Sequence, residues 1–159
     1  MAAIRGSDTT PERTVRSVLH SMGYRFRLHA PNLPAHPDIV LPRLRAVILV
    51  HGCFWHSHVC RRGRSTPATN AAFWREKRAA TKTRDRRSAA SLRRSGWRVL
   101  VIWECQITSQ ATLAKRLSSF LLTFESPMQH ARGSGSRVFK VSSPAVVALS
   151  IQRLISGIS

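Results

Sequence analysis

Apolar residues recur at helical spacing near the start of the chain, where Val15, Val18, Leu19 and Met22 share one face. Thr9 or Thr10, Pro11 and Glu12 stand where such a helix begins, as a cap, a first-turn proline and a candidate capping box, and Gly23 closes it. Residues 31–37 contain three prolines and read as loop. The period then shortens. DIVL (38–41) and RAVILV (45–50) are short runs rich in Val and Ile on either side of Pro42, and they predict two strands around a tight turn. Residues 61–68 are polar and predict a loop, and roughly residues 70–95 predict a long basic helix ended by Gly96. WRVLVIWEC (97–105) reads as the clearest buried strand. Thr108 is expected to cap a further helix with Leu113, Leu117, Phe120 and Leu121 turned inward. This order predicts one α/β (α+β) domain, a small mixed sheet flanked by helices. The pattern changes at about Pro127, so residues 1–126 are assigned to the domain. Residues 127–159 are assigned to a divergent tail, a flexible link followed by a short helix over 143–155.

Charge narrows the functional classes. The 159 residues carry 26 Lys and Arg against 7 Asp and Glu, a formal net charge of +19. Half of those cations, 13, lie between Arg61 and Arg98. Such a field attracts polyanions, and nucleic acid is the expected partner. No apolar run is long enough to span a membrane, and MAAIRGSDTTPE lacks the apolar middle of a secretory signal, so a cytoplasmic location is expected. Three cysteines in a reducing compartment do not make a disulfide framework, which leaves metal binding or burial.

The chemistry concentrates in HGCFWHSHVC, residues 51–60. Cys53, His58 and Cys60 are close in sequence, and Cys105 ends a strand that can lie beside them. Three thiols and one imidazole are a standard donor set for structural zinc; buried cysteines plus a surface histidine are the bland alternative. Asp38 heads a strand in a chain poor in acids. It suits magnesium held against a phosphate, or else simply caps a turn. His51 and His56 are then free to activate water. Phe54 and Trp55 occupy a polar loop, where they stack on bases or wedge between base pairs, or else cover the metal or form a satellite core; Trp74 leaves the same choice open. Phe73, Trp97 and Trp103 read as core, and Glu104 as a paired structural carboxylate.

TTPERTVRSVL, PDIVL, RAVILVHGCFWHSHVC, FWREK and GWRVLVIWEC, in this order and spacing over roughly residues 1–122, resemble the very short patch repair (Vsr) mismatch endonucleases. The resemblance implies a restriction-endonuclease-like fold and a magnesium-dependent nick. The cut falls 5′ of the thymine in a thymine–guanine mismatch left by deamination of 5-methylcytosine, and repair synthesis follows. By position, Asp38 and the backbone carbonyl of Val50 take the magnesium. His56 is the catalytic histidine, His51 the second active-site histidine and Glu12 the supporting glutamate. Zinc falls to Cys53, His58, Cys60 and Cys105, and intercalation to Phe54 and Trp55 with Trp74 nearby. The implied partner is mismatched double-stranded DNA, bound by a monomer, with mismatch-repair proteins as candidate further partners. The chain departs from the family at Ala35-His36, where a glycine and a basic residue are usual, and it starts almost at the first helix. Two rivals frame the reading: a zinc-containing DNA-binding module without nuclease activity, and a basic RNA-binding protein, which would prefer single strands or loops.

Overall fold

The architecture was taken from a computed structural model, which describes residues 7–123. Helix α1 (Thr10–Ser21) starts at the capping box. The Thr9 hydroxyl accepts from the Glu12 N–H while the Glu12 carboxylate reaches back to the Thr9 N–H. Gly23, at φ +81°, provides the left-handed turn that ends it. Strand β1 (Arg27–Leu28) follows, then β2 (Ile39–Leu41) and β3 (Ala46–His51), which pair antiparallel through a single 3-10 turn at Pro42–Leu44. A short helix α2 (Arg61–Arg64) and the long helix α3 (Ala71–Arg94) carry the chain across to β4 (Arg98–Trp103), which lies parallel to β3. Helix α4 (Gln110–Leu122) completes the described fold.

The sheet runs β1-β2-β3-β4, and its alternation sorts side chains between two helical layers. Ile39, Leu41, Ala46, Ile48 and Ile102 face Val15, Leu19, Leu113 and Leu117 from α1 and α4. Val40 and Val47 face Leu92 of α3, with Trp97 and Val99 beside them. Each large side chain sealed in this way contributes about 1.5–3 kcal/mol. The expected class, a mixed α/β sheet flanked by helices, is the one observed.

Local expectations need correction. Strand β4 is not the most buried strand: of its residues only Ile102 is fully buried, whereas β3 is sealed from Ala46 to Leu49. The reason is position, since β4 is an edge of the sheet among the described residues. The cap of α4 is Ser109, whose hydroxyl accepts from the Thr112 N–H at 3.1 Å, and not Thr108. Residues 61–68 are not all loop, because Arg61–Arg64 forms a helical turn. The link and helix expected over 127–159 lie outside the described residues.

Candidate active site and metal centre

Beyond β3 the chain winds into a compact turn held by its own backbone. The His56 N–H donates to the Gly52 carbonyl at 3.2 Å, Ser57 to Phe54 at 3.4 Å, and His58 to Cys53 at 3.0 Å. Ser57 sits in the left-handed region at φ +53°. That reversal separates two histidines that a strand would point the same way: His58 turns to one side and His56 to the other.

On the His58 side, one donor atom each from Cys53, His58, Cys60 and Cys105 lie within 4.8 Å of one another. Cys105 Sγ is 3.4 Å from His58 Nδ1, and the Cys105 N–H donates to Cys53 Sγ at 3.4 Å. A tetrahedral zinc with bonds of about 2.0–2.3 Å holds its donors roughly 3.3–3.8 Å apart, so these residues fit such an ion. All three cysteines are free thiols. Burial pushes the Cys53 thiol up to about 12, while the His58 ring and then the Gly63 N–H bring Cys60 down to about 6. Gly63 is required by contact: a Cβ there would lie 2.0 Å from the His58 carbonyl oxygen.

On the His56 side lies a cleft of about 610 Å³, lined by Glu12, Asp38, Val50, His51, Trp55, His56 and Asp85 among others. The Val50 N–H donates to Asp38 Oδ2 at 2.7 Å. Burial nevertheless raises the Asp38 carboxyl above its usual range, opposed by that hydrogen bond and reinforced by the Glu12 charge. Two acidic side chains at one end of a cleft fit a hard cation that takes oxygen ligands. Glu12 is 3% exposed and already engaged by Thr9 and by Arg16 at 2.8 Å, so it offers the cleft chiefly its charge. The His51 and His56 rings stack at 3.9 Å, tilted by only 6°. Burial, then the neighbouring His56, lowers His51 to about 4, against the pull of Asp85, and it stands neutral at physiological pH. His56 Nδ1 meets Asp85 Oδ2 at 2.5 Å.

Asp85 is the cleft residue that the sequence conceals. It lies in TRDRR, a stretch that looks like a solvated helix face. The available signal was its rarity as an acid within α3. Arg78 is concealed likewise. Only 8% exposed, it donates to Ser57 Oγ at 3.0 Å, to the Ser65 carbonyl at 2.8 Å and to the Gly63 carbonyl, and it covers the Phe54 ring at 5.1 Å. It ties α3 to both sides of the turn.

The aromatic residues form a cluster beside the cleft. Phe54, Trp55 and Trp74 contact one another with ring centroids 5.2–5.8 Å apart, all half-buried. Lys77 Nζ lies within 6.0 Å of the Trp55, Phe73 and Trp74 rings. Phe73 is not core: it is 55% exposed, because the start of α3 stands clear of the sheet. Trp103 is also not simply core. It lies against His58 at 4.4 Å and His51 at 5.2 Å, between the two sides of the turn. Trp97 packs on the smaller core cluster, and Glu104 pairs with Arg62 at 2.6 Å.

A buried carboxylate, a histidine paired with a second carboxylate, and a basic helix beside them are groups that an enzyme acting on nucleic acid would need. The family profile described as "DNA mismatch endonuclease Vsr" matches residues 1–62. The DNA mismatch endonuclease Vsr of Escherichia coli is 42% identical over 113 residues, covering 71% of this chain and 72% of that protein. A type II nicking enzyme of Xanthomonas oryzae pv. oryzae, V.XorIIP, is 48% identical over 76% of this chain and 88% of its own length. Another from Neisseria meningitidis, V.NmeAIP, is 36% identical over 74% of this chain and 84% of its own. The chain belongs to the Vsr family of DNA mismatch endonucleases.

Proposed function

We propose that this chain nicks duplex DNA on the 5′ side of the thymine in a thymine–guanine mismatch and so starts very short patch repair. The observation that carries the reading is the meeting of Asp38 and His56 in one cleft with Trp55 on its wall. Asp38, with the Val50 carbonyl, would hold magnesium, which supplies positive charge at the scissile phosphate. His56 Nδ1 is committed to Asp85, so the other ring nitrogen takes the proton of the attacking water. Neutral His51 packs flat on His56 and fixes the plane of that ring. Glu12 keeps this end of the cleft anionic. Phe54, Trp55 and Trp74 press between base steps, and a mismatched pair resists such distortion less than a matched one.

Cys53, His58, Cys60 and Cys105 would hold zinc in a structural role. The endonuclease domain is assigned to residues 1–126. A binding module without nuclease activity has no use for a carboxylate facing phosphate or for the His56–Asp85 pair, which favours the enzyme.

The test is an end-labelled duplex carrying one thymine–guanine mismatch, incubated with folded, metal-loaded protein. Magnesium-dependent cleavage 5′ of the thymine, absent on the matched duplex, is expected. Tight binding with no cleavage in magnesium would establish the module instead.

A further inference from the structure

The charge balance of the cleft runs against that of the chain. Four of the chain's seven acids line it: Glu12, Asp38, Asp85 and Glu104. Of its 26 Lys and Arg, Arg84 is the one found among the described lining residues. Three of the acids already have partners. Glu12 meets Arg16 at 2.8 Å, Asp85 meets His56 at 2.5 Å and Glu104 meets Arg62 at 2.6 Å. Asp38 is left for a hard cation. Arg84 makes no hydrogen bond or ion pair with another described residue, and its neighbour Asp85 is turned to His56 instead. The five N–H donors of Arg84 are therefore free for a ligand, and a guanidinium matches two phosphate oxygens at once. Its place is also fixed. Arg84 and Asp85 are consecutive on α3 (Ala71–Arg94), so the element that holds His56 carries the cation beside it.

We propose that Arg84 is a further catalytic residue, whose guanidinium binds the non-bridging oxygens of the scissile phosphate and grips them more tightly as the reaction proceeds. This rests on the reading of the cleft as a nuclease site. The water oxygen bonds to phosphorus and gives its proton to His56. The bond from phosphorus to the leaving sugar oxygen breaks, and that oxygen takes a proton from solvent. Negative charge builds on the non-bridging oxygens in between, and a cation fixed beside them lowers the barrier. Arg84 stays charged throughout and moves no proton, so its part differs from that of His56. Other cations of the helix act differently. Arg87, exposed three residues on and outside the cleft lining, attracts the DNA backbone without regard to the bond that breaks.

The experiment compares Arg84→Ala, Arg84→Lys and Arg87→Ala with the parent, all as zinc-loaded full chains, on the labelled thymine–guanine duplex. Single-turnover nicking at saturating protein in excess magnesium reads the chemical step, and a titration without magnesium reads binding. Arg84→Ala is expected to nick about 10²–10³-fold more slowly at saturation, with unchanged circular dichroism and with binding weakened no more than in Arg87→Ala. Arg84→Gln takes its place if Arg84→Ala does not fold. Arg84→Lys keeps the charge and loses the fork, so it should recover binding and only part of the rate. Added guanidinium ion should restore part of the rate to Arg84→Ala, which a merely structural role would not allow. Arg87→Ala should nick at the parent rate once saturated. Equal saturated rates for Arg84→Ala and Arg87→Ala overturn the proposal and leave Arg84 a solvated cation. A loss confined to binding overturns it too, making Arg84 an anchor for the backbone. A parent that nicks no duplex in magnesium is a different failure: it overturns the nuclease reading, and the catalytic role with it.

Discussion

The two sides of the turn at residues 52–60 share a backbone and differ in almost everything else. On one side, Cys53 is fully buried and pairs through its sulfur with Cys105, 52 residues away, so the group binds distant parts of the chain together. On the other side, His51 and His56 remain partly open to a cleft and face Asp38 and Asp85. The knot satisfies its own donors, whereas the cleft keeps a buried carboxylate in a state its surroundings disfavour. A carboxyl raised by burial costs stability, and such cost collects where chemistry is done. Two residues of spacing, from His56 to His58, are enough for opposite roles, provided the backbone reverses between them, as it does at Ser57.

Breaking the knot should have the largest effect. Structural zinc contributes on the order of 10 kcal/mol in small zinc modules, as much as the whole stability of many domains. Cys105→Ser is therefore expected to lose metal, cooperative melting and nicking together, measured by elemental analysis, circular dichroism and the duplex assay. The cleft should answer in the opposite way. Asp38→Asn should abolish nicking yet bind DNA at least as well, because a negative charge near phosphate is removed. Its melting temperature at neutral pH should rise. The folded-state pKa of Asp38 is raised, so the ionised form opposes folding and stability is gained as pH falls through that value. Magnesium affinity, read by the concentration that half-saturates nicking, should weaken as pH falls through the same range.

Next in size is His56→Ala, which should keep metal and melting while single-turnover nicking falls about 10²–10⁴-fold. His58→Ala, two residues on, should lose metal and fold; if these two outcomes are exchanged, the division at Ser57 is wrong. The smallest effect is expected at the aromatic cluster. Trp55→Ala should weaken binding to mismatched duplex by about 1–3 kcal/mol and to matched duplex by less, measured by fluorescence titration of both. Equal loss on the two would make the ring a cover for the cleft.

Much of this was legible in the sequence because it is encoded locally. The capping box at Thr9 and Glu12, the two apolar runs around Pro42, and the basic helix closed by Gly96 each depend on neighbours within a few residues. The knot was legible because thiols are rare here and C-x4-H-x-C leaves few alternatives. Edge and centre of the sheet were not, since β4 reads as more apolar than its exposure allows, and only its place beside β3 decides that. Asp85 and Arg78 were hidden for the same reason. Each looks like one more charge on a solvated helix, and its partner lies 29 or 21 residues away.

The parallel pairing of β3 and β4 also sets an order of events during synthesis. The knot forms just past the C-terminal ends of both strands, Cys53 after His51 and Cys105 after Trp103, which are partners in the register. Three of its donors leave the ribosome early, but the fourth follows the whole of α3. At about 5–20 residues per second, the interval from residue 60 to residue 105 lasts roughly 2–9 s. Through that time the nascent chain holds an incomplete donor set, two thiols and one imidazole. The four donors come together only when the crossover helix has folded back and β4 has docked, so an ion held by all four would act as a clock that marks the closing of the sheet.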